Sequence, residues 1–343
     1  MLFNQKNENN ISYEELHIRH LNLLIDLKNN EFNNWFYKMA LINTLDDLNK
    51  FIHRLQTNKN KCIIAIQNKK VIGFIHVYPL NEKKTCLKIN EPIIIDNNYS
   101  IANTNLIFEL IKKAISINDL RTSNWIINSD INNNNLIAAT KELGFQPLQE
   151  IKLWKSNYID SDQEKVKNNS IKNFRKVDNT NLKNILNFVK SNESILIRNI
   201  LDFDEKDIEN RNDQHSGYVL DNGEIVFSIL KDLNYQNKPI YSLIRGAFLD
   251  ERLNINLKII IKNIIDSAPE TIFKTYSKDQ NLNKCLENLN LSEVKRELIL
   301  VRNTLIRRDI KNVNAVNKSF HSILKKINPS GDPLPSPMPL TPK

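Results

Sequence analysis

The spacing of apolar and polar positions changes several times along the first part of the chain. Ser12-x-x-Glu15 has the form of a helix capping box, and Thr44-x-x-Asp47 repeats it, so we expect a helix to begin at each point. Two β-branched runs, Lys61–Gln67 and Val71–Tyr78, then flank a polar turn. This pattern predicts a β-hairpin, followed by a third strand over roughly 86–95.

Beyond the third strand the pattern alternates between helix and strand. Apolar residues at helical spacing predict helices near 105–117 and 133–143, with a short strand at 125–128 between them. Gly144 is expected to end the second helix, because glycine readily adopts a positive φ. Strand-like sequence continues to Trp154.

The same order of elements then returns. The turn at Asn222 follows the turn at Asn68 by 154 positions, and the helix end at Asn290 follows the one at Gly144 by 146. Such a long, nearly constant offset indicates duplication of a domain rather than a solenoid of short repeats. The second copy is predicted to contain strands at 174–177, 218–220, 224–230, 240–248, 271–275 and 297–303, and helices from about 181 and at 254–265 and 280–289.

Length and composition allow two domains with ordinary cores. The chain has 343 residues, of which 41% are hydrophobic and 25% charged. It also contains 54 Asn but only 6 Gly, and no Gly-Lys-Ser/Thr, which excludes a Walker-type phosphate loop. We predict an N-terminal domain at 10–155, a linker at 156–170, a second domain at 171–308 and, at 309–343, a basic and then Pro-rich tail that is expected to be disordered.

The net charge and the number of cysteines limit the classes of function that we expect. The net charge is +9, and residues 296–343 carry nine Lys/Arg against three acids, so this end could meet RNA or a coenzyme phosphate, or could simply be a solvated tail. Three scattered cysteines predict neither a disulfide scaffold nor a zinc module. His17 and His20 are expected on a solvated face, and no metal site is predicted. Without a leader or a long apolar run, the chain is expected to be cytoplasmic and not membrane-bound.

Two segments resemble a known superfamily. NNNLIAATKELGFQPLQEIKL, at residues 133–153, resembles the closing motif of the GCN5-related N-acetyltransferases (GNAT). FRKVDNTNLKNILNF, at residues 174–188, is similar to the usual start of these domains. The resemblance implies an α+β (α/β three-layer) fold of two tandem GNAT-like domains, each with a mixed, mostly antiparallel sheet flanked by helices.

The resemblance also implies where acetyl-coenzyme A (acetyl-CoA) would bind. In the family it lies in a V between the fourth and fifth strands, with its pyrophosphate at the start of the next helix. The implied elements here are a strand at 91–96 and a loop at 99–105. The loop lacks the family's glycines: Ser100 and Ala102 take their places in one register, Asn103 and Asn105 in another. The implied coenzyme-binding residues are Ile93, Ile94, Ile95, Ser100, Ile101, Ala102, Asn103, Asn105 and Asn133.

Two catalytic candidates follow from the same resemblance. Thr140 stands where many family members have a tyrosine that protonates the leaving thiolate. Glu91 stands on the fourth strand, where a base for the incoming amine is often found, and burial could raise its pKa. The alternative is that Glu91 is an ordinary carboxylate at the edge of a strand.

Three functions remain open on this evidence. The first is an acetyltransferase that uses acetyl-CoA to acetylate an amine of a small molecule or a protein. The second is an aminoacyl-tRNA-dependent transferase, which needs no coenzyme phosphate loop and would hold tRNA by positive charge. The third is a non-catalytic GNAT-derived binding or scaffold protein whose Pro-rich tail engages a protein partner.

Overall fold

A computed structural model describes residues 11–24, 36–45, 60–95, 103–116, 122–156, 174–221, 223–232, 239–246 and 251–304. We call residues 11–156 the first half of the protein and residues 174–304 the second half. The predicted linker 156–170 lies outside the described residues except for Ser156, and the predicted tail lies wholly outside them.

The first half is built around one hairpin and the strands that join it. Asn68 and Lys69 both have positive φ (51° and 61°), the backbone that a two-residue hairpin turn requires. The elements are β1 (Ser12–Glu15), a 3₁₀ turn (Ile18–His20), α1 (Leu21–Leu24), α2 (36–45), β2 (Lys61–Gln67), β3 (Lys70–Pro79), β4 (Cys86–Ile89), β5 (Ile93–Ile94), α3 (Asn103–Ser116), β6 (Asn124–Asp130), α4 (Asn134–Glu142) and β7 (Gln146–Ser156).

The second half follows a similar order, with three helices before its hairpin. Asn290 has a φ of 59° at the end of its last helix, the place that Gly144 holds in the first half with a φ of 81°. The elements are β8 (Phe174–Lys176), α5 (Leu182–Asn192), α6 (Ile195–Leu201), α7 (Glu205–Asn210), β9 (Gly217–Asp221), β10 (Glu224–Lys231), β11 (Ile240–Arg245), α8 (Glu251–Ser267), β12 (Ile272–Tyr276), α9 (Gln280–Asn288) and β13 (Leu291–Asn303).

The halves exchange their last strands. The sheet runs β1-β2-β3-β4-β6-β13-β7-β12-β11-β10-β9-β8, with β5 paired to β3 outside this path. Strand β13 of the second half pairs with β6 of the first, and β7 of the first half pairs with β12 of the second. The order is palindromic about the β13–β7 pair, so each half completes the sheet of the other.

Both halves have three layers, which confirms the predicted α+β fold. In the first half, α3 and α4 pack on one sheet face around Leu110 and Ile127, while α1 and α2 contribute to a cluster with Phe36 and Ile64. In the second half, α8 and α9 cover one face around Phe273. Helices α5 and α7 cover the other face, where Ile185, Ile208 and Ile244 meet.

Several predictions about the first half are wrong. Ser12–Glu15 is a strand, because its backbone pairs with Ile63–Ile66 of β2. Thr44 lies inside α2, where its hydroxyl donates a hydrogen bond to the Ala40 carbonyl. His20 is buried rather than solvated and hydrogen-bonds to Glu14. The single strand predicted at 86–95 is broken into β4 and β5.

Candidate functional site

Strands β4 and β6 are parallel neighbours that separate. Their pairing runs from Cys86↔Asn124 to Ile89↔Ile127 and then stops. Residues after Ile89 stay on β3 instead, since the Asn90 N–H donates to the His76 carbonyl and the Ile95 N–H to the Ile72 carbonyl, both at 2.9 Å. We call the resulting gap, between residues 90–95 and 128–130, the first wedge.

One backbone amide on the edge of the first wedge faces away from β3. In an antiparallel ladder, alternate residues bond to the partner strand. Because Ile95 bonds to Ile72, and Ile94 lies opposite Gly73, the N–H of Ile94 points towards the wedge. A helix of 14 residues, α3, begins at Asn103 with no acidic residue in its first turn. An unpaired strand edge of this kind can bond to the amides of an extended ligand.

A hydrogen bond crosses the mouth of the first wedge. The Asn133 side-chain amide donates to Glu91 Oε1 at 2.5 Å, and Asn133 Oδ1 accepts the Leu136 N–H at 3.1 Å to cap α4. Lys295 Nζ lies 3.8 Å from Glu91 Oε2 and 3.0 Å from Glu297 Oε1. The fold thus brings together two predicted site residues, Glu91 and Asn133, together with a lysine contributed by the exchanged strand β13.

Among the other predicted site residues, Ile93, Ile94 and Ile95 border the first wedge. Thr140 is fully buried, and its hydroxyl donates to the carbonyls of Leu136 and Ile137 in its own helix. Ile93 is exposed, and Ile94 and Ile95 are half-buried. Asn105 is exposed on α3. Ser100, Ile101, Ala102 and the side chain of Asn103 lie outside the described residues.

The second half contains an equivalent wedge. Parallel pairing of β11 with β12 stops at Ser242↔Lys274, although β11 continues to Arg245 and β12 to Tyr276. Arg245 Nε donates to both carboxylate oxygens of Asp279, at 2.6 and 2.7 Å, and Asp279 caps α9. Arg245 follows Glu91 by 154 positions and Asp279 follows Asn133 by 146, the two offsets of the repeat. We call the gap between residues 243–246 and 275–277 the second wedge.

A single cleft reaches the points at which both wedges open. This central cleft has a volume of about 880 Å³, part of which is open to solvent. Lys88 and Asn128 flank the opening of the first wedge, and Leu243 and Thr275 that of the second. Its remaining lining residues are Leu80, Ile126, Leu148, Ile151, Glu193, Ile197, Ile200, Leu201, Phe203, Arg211, Asp232, Ser242, Ile244, Lys274, Tyr276 and Ile299.

An ionic network of one buried and two half-buried side chains lies in the wall of the central cleft. Arg211 and Lys274 both bind the carboxylate of Asp232. Burial opposes ionisation of Asp232, but Lys274 and Arg211 outweigh this cost and hold its pKa below the usual range. For Lys274 burial is the larger effect, and it lowers the pKa of the ammonium.

An acid and a phenol lie beside this network. The Tyr276 hydroxyl donates to Glu193 Oε1 at 3.2 Å. Burial raises the pKa of Glu193, although the nearby Arg211 works in the opposite direction. Burial, reinforced by Glu193, also raises the pKa of Tyr276 well above its usual value. At neutral pH the phenol therefore keeps its proton, while Glu193 is a stronger base than an exposed glutamate.

Sequence reasoning missed the residues of the central cleft because they are far apart in the chain. Glu193 follows α5, Arg211 follows α7 and Asp232 follows β10. One signal was available: Lys274 lies in the strand predicted at 271–275 and Tyr276 follows two positions later, a spacing that places two polar side chains on one face of a sheet if the strand continues. A strand buried on both faces would have apolar residues there.

No protein-family model and no curated protein sequence matches the chain. Among solved structures, the fold is similar to a putative acetyltransferase from Pyrococcus horikoshii (8% identity, 89% of this chain and 93% of that one, TM-score 0.49). It is also similar to a tandem GNAT protein from the clavulanic acid biosynthesis pathway (8% identity, 86% of this chain and 98% of that one, TM-score 0.47). A third similar structure is a GCN5-related N-acetyltransferase from Sphaerobacter thermophilus (8% identity, 76% of this chain and 85% of that one, TM-score 0.47). These are likenesses of fold only.

Two further observations concern the described residues alone. None of the helices there is both long and apolar enough to cross a membrane. The same residues contain no cluster of three or more His, Cys, Asp or Glu side chains that could hold a metal ion.

Proposed function

We propose that this protein transfers an acetyl group from acetyl-CoA to an amine, with the donor in the first wedge and the acceptor in the central cleft. The observation that carries the proposal is the separation of the parallel strands β4 and β6. It leaves the Ile94 N–H on an unpaired edge, which can bond to the amides of an extended pantetheine chain. The helix that follows, α3, starts without an acidic residue and so presents its amides to anionic oxygens without local repulsion.

The thioester would lie where the first wedge meets the central cleft, beside Lys88 and Asn128. A transfer of this kind depends mainly on holding the amine against the carbonyl carbon. The amine nitrogen bonds to that carbon and loses a proton, while the C–S bond breaks and coenzyme A leaves as a thiolate that takes up a proton from water. Glu193 is suited to accept this proton, because it lines the cleft and burial raises its pKa. Glu91 is less suited, since its carboxylate already accepts the Asn133 amide and lies near Lys295.

The donor site can be tested by titrating the full chain with acetyl-CoA in a calorimeter. Ile94→Pro removes the N–H that faces the wedge without removing a bond to β3, and Ile94→Ala is the matched control because it shortens the side chain but keeps the N–H. We expect saturable binding to the unmodified protein and to the Ala variant, and weaker binding to the Pro variant. No binding at millimolar coenzyme, or equal binding by both variants, would contradict the proposed donor site.

A non-catalytic binding protein is the second candidate function. It is favoured by the bridges that cross both wedges, Glu91–Asn133 and Arg245–Asp279. If the bridges stay closed, acetyl-CoA fails to raise the melting temperature, whereas a ligand present at 100 times its Kd stabilises a protein by about 2.7 kcal/mol. The tRNA-dependent alternative stays a prediction, because the basic tail on which it rests lies outside the described residues.

A further inference from the structure

The central cleft contains polar groups that no described residue satisfies. Arg211 and Ser242 are each 6% exposed and line the cleft. Arg211 Nε and the Ser242 hydroxyl have no hydrogen-bond partner among the described residues. Leaving such a buried donor unpaired is unfavourable, so two unpaired donors in the lining of one cleft suggest a ligand that accepts from them.

The charges of the cleft indicate the sign of that ligand. Three cations, Lys88, Arg211 and Lys274, line it together with two acids, Asp232 and Glu193. Asp232 is occupied by Arg211 and Lys274. The Lys88 side chain forms no hydrogen bond or ion pair with the described residues, although its charge lies near enough to act on Asp232 and Lys274. The cleft therefore has one positive charge in excess when both acids are ionised, so it favours an anionic group.

Much of the rest of the cleft is apolar. Ten of the twenty lining residues are isoleucine or leucine, and Phe203 lies under the Arg211 guanidinium with 5.0 Å from its ring centroid to Cζ. The empty space of the cleft, about 880 Å³, includes a part that is open to solvent. A ligand that satisfies all of these features combines one carboxylate with an apolar chain.

We infer that the acceptor is an apolar amino acid or a short apolar peptide, whose carboxylate is held by Lys88, Arg211 and Ser242. This inference rests on the proposed function, because it names the class of amine that the transferase would acetylate. The carboxylate accepts from the unpaired donors and neutralises the excess charge, while the amine of the same molecule lies towards Glu193. Asp232 does not compete for the donors, since Arg211 Nη2 and Lys274 already occupy it.

The inference can be tested by measuring binding of the dipeptide Leu-Leu and of its C-terminal amide to the full chain without any acyl donor. Hydrogen bonds to a charged group contribute about 1.5–3 kcal/mol, so we expect the free acid to bind roughly tenfold more tightly than the amide, or better. Lys88→Gln should abolish most of this preference. Lys183→Gln, an exposed lysine on α5, is the control and should leave it unchanged.

Ser242→Ala provides a second variant that keeps the ionic network intact. It should weaken binding of the free acid severalfold and leave binding of the amide unchanged. Equal binding of acid and amide, no binding of either, or an unchanged preference in both variants would overturn the inference. Titrating the same samples with acetyl-CoA separates the two proposals: if the coenzyme binds and the dipeptide does not, only the acceptor assignment fails.

Discussion

The two wedges share one architecture but are bridged by different chemistry. In each, the residue that caps the last helix reaches across the mouth to the strand that has separated. In the first wedge a neutral amide donates a single bond to Glu91, whose side chain is 37% exposed and lies 3.8 Å from the ammonium of Lys295. In the second, Arg245 donates two bonds to Asp279, and both side chains are 17% exposed.

This difference indicates which half can open. A charged pair that is largely withdrawn from water is costly to break, because each partner is then left buried and alone. A single bond to a half-exposed carboxylate is easily exchanged for water. The first wedge should therefore open to admit a donor, while the second stays closed and serves to hold the wall of the central cleft.

The largest expected effect concerns the strand exchange that joins the halves. A chain that ends at Asn290 lacks β13, which lies between β6 and β7 in the sheet. We expect this chain not to fold, because both halves lose part of their sheet, and we expect cooperative melting to disappear in circular dichroism. Cooperative unfolding of the shortened chain would show that the halves are independent.

Replacing each of the two capping residues with alanine compares directly how much each bridge stabilises the protein. Asp279→Ala removes a helix cap and leaves Arg245 without its partner, so we expect a loss of roughly 2–4 kcal/mol in the free energy of unfolding. Asn133→Ala removes a helix cap and one hydrogen bond to a half-exposed carboxylate, so we expect a loss of about 1 kcal/mol in the free energy of unfolding. Urea denaturation of both variants measures the difference. Equal losses would mean that the second wedge is no more firmly closed than the first.

The halves should also differ in their response to pH. Burial lowers the pKa of His76, in β3, from 6.5 to about 4. Between these values the unfolded chain binds more protons than the folded one, so the stability associated with neutral His76 is present above about pH 6.5 and lost as the pH falls.

Burial raises the pKa of Asp207, in α7, from 3.8 to about 6. The stability associated with protonated Asp207 is present below about pH 4 and is lost as the pH rises to about 6.

Two substitutions separate these opposite trends. His76→Gln should reduce the loss of stability on acidification, and Asp207→Asn should reduce the loss between about pH 4 and 6. The measurement is the free energy of unfolding in urea at a series of pH values. An unchanged profile in either variant would show that the corresponding group does not titrate as its burial implies.

The smallest effect is expected at Thr140. Its hydroxyl bonds only to carbonyls of α4, so Thr140→Val should change the free energy of unfolding by less than about 1 kcal/mol and leave acetyl transfer intact. Retained activity, measured as thiol release, would remove Thr140 from the catalytic candidates. A loss of activity in a folded variant would support the role implied by the resemblance.

Local signals predicted the fold well where they were strong. The hairpin at β2 and β3, the helix capped by Asn133 and the positive φ of Gly144 each depend on a few neighbouring residues. The Ser12-x-x-Glu15 pattern wrongly predicted the start of a helix, because backbone pairing with β2 overrides the capping pattern. Helices α6 and α7 were missed because they are short and lack a full amphipathic repeat.

The candidate site was less accessible to sequence reasoning. Glu91 and Asn133 could be named because a resemblance placed them, but their hydrogen bond depends on how β4 and β6 separate. The ionic network joins Arg211, Asp232 and Lys274, which lie just after α7, just after β10 and in β12. No local pattern brings such residues together, and the strand exchange that places Lys295 beside Glu91 cannot be inferred from the order of elements alone.

The most direct test of the central claim is backbone hydrogen exchange of the full chain with and without acetyl-CoA. The account predicts slower exchange in the segment 90–95, which borders the first wedge, and no change at 243–246, which borders the second. Protection at 243–246 instead, or at neither segment under saturating coenzyme, would contradict the assignment of the first wedge as the donor site.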